Sequence, residues 1–535
     1  MIPMNRRTFA TLTAGAFAAR AVRAAEISPI IETASGKVRG FNVGKVKAFR
    51  GIPYGASTAG AGRFQPPAQA MPWAGVRDAL ELGLRAPQLP ASLVPEMGVM
   101  DRTEPMGEDC LMLNVWSQGL RDGRKRPVMV WLHGGGFTNG SAGFYCYDGA
   151  NLAAKHDVVV VGVNHRLNIF GFLHLADVGG AKYAHATNAG MLDCVQALQW
   201  VRENIEAFGG DPANVTVFGQ SGGGSKVSTL LGMPAAKGLF HRAIAMSGSQ
   251  VTSVPREQAT ETTRAVMKML NITRAEDLEK VPMQTLLDLT AGGTGGGQGN
   301  PNLRLTPTMD GTTIPAHIFD PVATAISIDV PLMIGSTETE VTWNTRQQYD
   351  PLDDAELGAR VKQTARTTDA GAAAIVAAYR KNRPRASNLD LYLIFASDVS
   401  NFRTGTDTEA ERKAAQGKGN VYKYYFQWYS PVRDGRLRSM HTMDIPFVFE
   451  NTDVARALLG DGKEKYALAD RMSAAWVQFA RTGNPSHKGL PQWTPFENTK
   501  RSTMILNNEC RLEQNPFHEE RAAVAAAPRQ GKASA

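Results

Sequence analysis

Three apolar runs, each passing through a turn into helix-forming sequence, constrain this chain more than any other feature of its 535 residues. Residues 127–132 read PVMVWL, 158–163 read VVVVGV and 215–219 read VTVFG. A strand with one wet face alternates apolar and polar side chains, so runs without polar interruption need cover on both faces. Helical sequence between the runs can provide that cover. In residues 190–207, Leu192, Val195, Leu198, Val201 and Ile205 recur at helical spacing. A fourth run, 331–334 (PLMI), reads the same way as the first three. Strands alternating with helices predict an α/β fold whose central sheet is large and mostly parallel.

Two segments read as insertions on that scaffold. Residues 289–305 contain Gly292-Gly293-Thr294-Gly295-Gly296-Gly297, a loop without the strand before and helix after that a phosphate cradle needs. Residues 351–420 are charged, Ala-rich and helix-prone, consistent with helices that form a lid. No repeat of 20–50 residues occurs, and Pro and Gly never cluster with a charge shift, so residues 25–535 read as one domain.

Residues 1–24 read as an export signal. Arg6-Arg7 precedes Phe9, a weakly hydrophobic run follows to Ala19, and small residues surround Arg23. This resembles a twin-arginine signal and predicts a periplasmic or secreted mature protein. The formal charge is +8, and loss of the four arginines of that segment leaves +4. Neither value, in a chain without basic clusters interleaved with aromatics, predicts nucleic-acid binding. No run of 18 apolar residues is present to span a membrane. The four cysteines, Cys110, Cys146, Cys194 and Cys510, fit no zinc or CxxC spacing and leave three pairings open.

The chemistry is concentrated at two glycine-rich turns. Gly219-Gln220-Ser221-Gly222-Gly223 follows one buried run and precedes a helical pattern. Small residues two before and two after a serine allow a sharp strand-to-helix turn that exposes the hydroxyl. His133-Gly134-Gly135-Gly136-Phe137 follows another run. Its glycines leave backbone N–H groups free for a negatively charged oxygen, which acyl transfer requires.

With these motifs the chain resembles the type-B carboxylesterases, which include the cholinesterases and the bacterial para-nitrobenzyl esterases. The shared stretches run in order from Phe49-Arg50-Gly51-Ile52-Pro53-Tyr54 through Glu108-Asp109-Cys110-Leu111, Asn164, Arg166-Leu167 and Phe208-Gly209-Gly210-Asp211-Pro212 to Thr482-Gly483-Asn484-Pro485. The resemblance implies an α/β-hydrolase fold and a serine esterase acting on small-molecule esters without metal or organic cofactor. It carries the nucleophile to Ser221, the oxyanion donors to Gly135, Gly136 and Gly222, and the base to His441. It carries the acid that orients the base to Glu340, and it gives His133 the task of shaping the oxyanion loop. Residue pattern alone leaves Glu338 and Glu340 equivalent, because residues two apart on an extended chain share a face. The resemblance selects Glu340 and leaves Glu338 as a solvated loop carboxylate.

The chain departs from its relatives at several points. Gln220 stands where many carry glutamate, and Gly222 where they carry alanine. Between Gln88 and Glu108 there is no aromatic residue, so the tryptophan that cholinesterases place there is missing and choline esters are not expected substrates. Pro87 lies near the place of the cysteine that pairs with the counterpart of Cys110, so this loop is expected to be less tethered. The family also contains adhesion proteins that lost the triad; the presence of Ser221, Glu340 and His441 favours an enzyme. A panel of esters and anilides separates esterase from amidase chemistry. The sequence does not set the oligomeric state.

Overall fold

The uninterrupted apolar runs form the middle of one thirteen-stranded sheet. A computed structural model describes residues 27–90, 95–100, 104–292, 300–343 and 350–529. The expected export signal at 1–24 and residues 293–299 of the glycine-rich loop lie outside the described residues. The strands are β1 (Ile27–Thr33), β2 (Gly36–Val43), β3 (Val46–Pro53), β4 (Val76–Asp78), β5 (Met112–Ser117), β6 (Arg126–Leu132) and β7 (Val159–Val163). They continue with β8 (Gly210–Gln220), β9 (Arg242–Met246), β10 (Leu332–Thr337), β11 (Val421–Phe426), β12 (Thr503–Leu506) and β13 (Arg511–Glu513). Their spatial order is β1-β2-β3-β5-β7-β6-β8-β9-β10-β11-β12-β13, with β4 beside β2. From β7 to β12 all neighbours are parallel. The path from β1 to β7 and the last pair are antiparallel. This is the α/β-hydrolase sheet that the resemblance implies.

Side-chain alternation explains why the central strands carry no polar stripe. Val128, Val130 and Leu132 of β6 enter one core, while Met129 and Trp131 enter the other. Val159, Val161 and Val163 of β7 likewise oppose Val160. Helix α1 (Ala189–Asn204) covers the first face with Leu198 and Val201, and the helix Glu464–Thr482 covers the second with Trp476 and Phe479. The antiparallel edge was not evident from apolar runs for a simple reason: β2 buries only Val38 and Gly40 of its eight residues. Helix α2 (Gly222–Leu231) follows β8 directly.

The helix-prone segment folds as α3 (Asp354–Ala365), α4 (Asp369–Asn382), α5 (Asn388–Asp398) and α6 (Asn401–Ala414). Asp353, Thr368 and Ser387 cap the first three, each accepting a backbone N–H of the first turn. Their apolar faces, with Leu357, Val361, Ile375, Tyr379 and Phe395, form a small core of their own. Helix α6 packs instead on β10 and β11, beside the region where the functional residues gather. The two ends of the glycine-rich loop are tied together, since Asn300 N–H donates to the Thr290 carbonyl at 2.8 Å.

Several shared motif residues hold the scaffold rather than the chemistry. The Arg166 guanidinium forks onto Asp193 at 2.9 and 2.6 Å, both side chains fully buried. Arg63 grips Glu108 in the same manner, and the Tyr54 hydroxyl donates to the Asn164 carbonyl at 2.7 Å. All four cysteines are free thiols, Cys110 buried among them. The segment around Pro87 is nevertheless anchored. The buried Gln88 amide donates to the Gly140 carbonyl at 2.9 Å and accepts the Gly140 N–H at 2.8 Å, while Asn168 donates to the Pro87 carbonyl at 2.8 Å. The disulfide is absent, as expected, and at residues 87–88 these hydrogen bonds supply what tethering there is. Among the described residues, no helix is long and apolar enough to cross a membrane.

Candidate active site

Strand β8 delivers Ser221 to a turn that only close-packed glycines permit. Ser221 has φ 59° and ψ −126°, outside the ordinary regions for a residue with a side chain, between the last residue of β8 and the first of α2. The turn is that tight because the backbones touch. A Cβ on Gly219 would lie 2.5 Å from the Gly223 carbonyl carbon, and one on Gly223 would lie 2.0 Å from the Leu132 oxygen. Ser221 N–H donates to the Met246 carbonyl at 2.8 Å, which fixes the turn to the end of β9.

The glycine loop after β6 lies against the same turn. Gly135 and Gly136 have φ of 89° and 61°, conformations that side chains disfavour. A Cβ on Gly222 would fall 2.2 Å from the Gly136 oxygen, so the two predicted donor segments are in direct contact. Among the described residues, the N–H groups of Gly135, Gly136 and Gly222 meet no acceptor. Gly222 is also the first residue of α2, where the helix end adds partial positive charge. Behind the loop, the Gly134 carbonyl accepts from His133 Nδ1 at 2.8 Å, and the Gly135 carbonyl from Asn139 N–H at 3.1 Å. Burial, reinforced by the charge of Lys226, draws the His133 pKa down to about 3. His133 is therefore neutral, protonated on Nδ1, and stacked on His165 at 4.8 Å.

Glu340 and His441 meet just beyond two neighbouring parallel strands, where Thr339 bridges Met440. His441 Nδ1 lies 2.5 Å from Glu340 Oε2, and the other carboxylate oxygen accepts the Thr337 N–H at 2.7 Å. Both side chains are buried. Burial alone would raise the Glu340 pKa; the charge of His441, its hydrogen bond, the Ser247 hydroxyl and the nearby Arg403 outweigh it and hold the carboxyl below its usual value. The Gln220 amide nitrogen stands 3.4 and 3.3 Å from the two ring nitrogens of His441, which links the imidazole to the residue before Ser221. Phe402, at the start of α6, covers the ring at 4.3 Å between centroids.

Glu338 goes elsewhere, and its expected solvation is corrected. It is 2% exposed and accepts from the Gln427 amide at 2.9 Å, with Arg383 at 3.8 Å. Burial raises its pKa against the pull of Arg383, Gln427 and Tyr429. The extended chain ends at Thr337, and Glu340 opens a turn of 3₁₀ helix, so the two acids do not share a face. Phe402, Gln88, Ser247 and Lys226 were not found by sequence reasoning. Only Lys226 left a trace there, as a cation among the small and apolar residues of an otherwise buried helix.

Comparison with known proteins is consistent with this geometry. A model of the carboxylesterase family matches residues 27–524. The chain is 34% identical to a para-nitrobenzyl esterase of Bacillus subtilis over 517 residues, covering 92% of this chain and 97% of that one. It is 32% identical to a phenmedipham hydrolase of Pseudarthrobacter oxydans, covering 90% and 95% respectively. Among solved structures, a Clostridium hathewayi esterase described as able to hydrolyse aliphatic aromatic polyesters superposes with a TM-score of 0.80 at 35% identity, covering 94% of this chain and 98% of that one. A Geobacillus stearothermophilus carboxylesterase gives 0.77 at 35%, covering 93% and 100%.

Proposed function

The chain belongs to the carboxylesterase family and is a serine hydrolase of carboxylic esters, and on that premise we propose that its acyl-enzyme forms on Ser221. In this reading His441 is the base, Glu340 orients it, and the N–H groups of Gly135, Gly136 and Gly222 take the oxyanion. The observation that carries it is the 2.5 Å contact of His441 Nδ1 with a buried carboxylate, reached from the nucleophile turn through Gln220. The Ser221 hydroxyl attacks the ester carbonyl while His441 Nε2 takes its proton, and negative charge develops on the carbonyl oxygen. Collapse breaks the ester C–O bond, and His441 returns the proton to the departing alcohol. Water then attacks the acyl-enzyme by the same route, releasing the acid and restoring Ser221.

Neutral small-molecule esters are the proposed substrates. Gln220 places no negative charge beside the imidazole, and the buried Arg403 guanidinium, 2.7 Å from the Thr337 carbonyl, adds positive charge near the triad. Butyrylcholine should therefore show a lower kcat/KM than an uncharged butyrate of similar size. The central test is a fluorophosphonate probe: it should label Ser221 and no other serine, and Ser221→Ala should abolish turnover in a folded protein. Labelling elsewhere would sink the assignment.

We also propose that residues 1–24 direct twin-arginine export and that residues 25–535 form one catalytic domain. The Arg6-Arg7 pair supports this, as does the start of the family match at residue 27. A reporter fused after residue 30 should reach the periplasm of a Gram-negative host only with both arginines intact. Normal export of the Arg6→Lys, Arg7→Lys double variant would refute it.

A further inference from the structure

Two peptides of the glycine loop carry the proposed N–H donors of Gly135 and Gly136. Their carbonyls are secured from behind by His133 and by Thr138 and Asn139. The peptides on either side of them are secured by one side chain from another element. Lys226 Nζ donates to the His133 carbonyl at 3.0 Å and to the Gly136 carbonyl at 2.8 Å. In a trans peptide the C=O and N–H point in opposite directions, so anchoring carbonyls behind a loop aims its N–H groups forward.

The setting of Lys226 is costly for a cation. Its side chain is fully buried, and besides the two carbonyls its ammonium lies 5.3 Å from the centre of the Phe137 ring. The titratable groups facing it are His133 and His165, both held neutral by burial, and the thiol of Cys194 on α1, pushed up to about 12. No carboxylate balances its charge among the described residues, and burial draws the ammonium down to about 7. The protonated amine offers three N–H bonds and the neutral amine two, so both carbonyls stay served on either side of neutrality. A side chain there only to fill space would be apolar, because burying an unpaired cation is expensive.

Position shows what the contact accomplishes. Lys226 lies on α2, the helix that begins with Gly222, the third donor, and its ammonium reaches the loop that carries the other two. Resting on the oxyanion reading above, we propose that Lys226 is a positioning residue for ester hydrolysis, stapling the loop 133–136 to the nucleophile helix and setting the spacing of the oxyanion donors. Lys226→Met removes both hydrogen bonds at similar volume, and Lys226→Gln returns N–H donors on a shorter stem.

Each variant is compared with wild type on one para-nitrophenyl ester and against an aryl trifluoromethyl ketone, whose adduct with serine carries an oxyanion. Lys226→Met is expected to lose roughly 10- to 100-fold in kcat, up to the scale for a displaced group and below the roughly 10²- to 10³-fold cost of a missing oxyanion donor, with KM within about threefold. Ketone affinity should fall in parallel, while affinity for the product acid stays unchanged and Lys226→Gln recovers part of the loss. A folded Lys226→Met with wild-type kcat and ketone affinity would overturn the proposal. So would equal losses in KM and product affinity, or failure of both variants to fold, since either result makes Lys226 a general structural residue. Fluorophosphonate labelling of Ser221 in wild type keeps the two readings apart: labelling at another serine refutes the oxyanion site itself, not the role of Lys226 alone.

Discussion

Replacing Glu340 by glutamine should disable the proposed base, His441, through its tautomer, in a direction the hydrogen bonds of Glu340 set. Glu340 Oε1 accepts the Thr337 N–H at 2.7 Å, and Oε2 faces His441 Nδ1 at 2.5 Å. A glutamine in this buried slot must keep its oxygen on the Thr337 N–H, because an NH₂ group there would set donor against donor. Its NH₂ then faces His441, where it can only donate. Nδ1 must become the acceptor, the ring proton moves to Nε2, and the imidazole can no longer take the serine proton. The corresponding change in Ser-His-Asp enzymes costs roughly 10⁴ in kcat, about 5.4 kcal/mol in the barrier. Glu338→Gln, whose carboxylate bonds Gln427 instead, should change kcat less than about tenfold, below roughly 1.4 kcal/mol. Steady-state kinetics of both variants on one para-nitrophenyl ester, with circular dichroism to confirm folding, make the comparison. If Glu340→Gln keeps kcat within tenfold of wild type, or Glu338→Gln loses more, the orienting role of Glu340 is refuted.

Three further outcomes follow from the geometry. Gly222→Ala places a methyl 2.2 Å from the Gly136 oxygen, so the loop must shift and kcat should fall about tenfold or more; an unchanged kcat would show that the loop yields freely. Gln88→Ala leaves the buried Gly140 N–H and carbonyl without their partner and should cost about 2 kcal/mol or more in urea unfolding, against almost nothing if water replaces the amide. Glu409 on α6 accepts from the Gln250 N–H and the Ser228 hydroxyl, yet burial pushes its pKa up to about 8. Between its unfolded value near about 4 and that point, only the folded chain holds the proton, so this group's contribution to stability declines as pH rises through the window. Glu409→Gln removes the titration, and its Tm relative to wild type should climb from pH 5 to pH 8; a constant difference would show that Glu409 is ionised throughout.

What the sequence determined by itself is what local chemistry enforces. Val128 to Leu132 and Val159 to Val163 had to be covered on both faces, because strand geometry sends alternate side chains in opposite directions. The turn at Ser221 and the loop at Gly135 and Gly136 were legible for the same reason, since tight backbone approach and positive φ demand glycine within a few residues. The acid was a different matter. Parity along an extended chain made Glu338 and Glu340 equivalent, and a resemblance to relatives was needed to prefer one. Only the tertiary structure decided their fates, by ending β10 at Thr337 and turning one carboxylate to His441 and the other to Gln427. The clamp of Gln88 on Gly140, the ring of Phe402 over His441 and the reach of Lys226 to the oxyanion loop were out of view for a common reason. Each joins residues far apart in the chain, and short-range spacing carries no information about which distant carbonyl or ring a side chain will meet once the chain has folded.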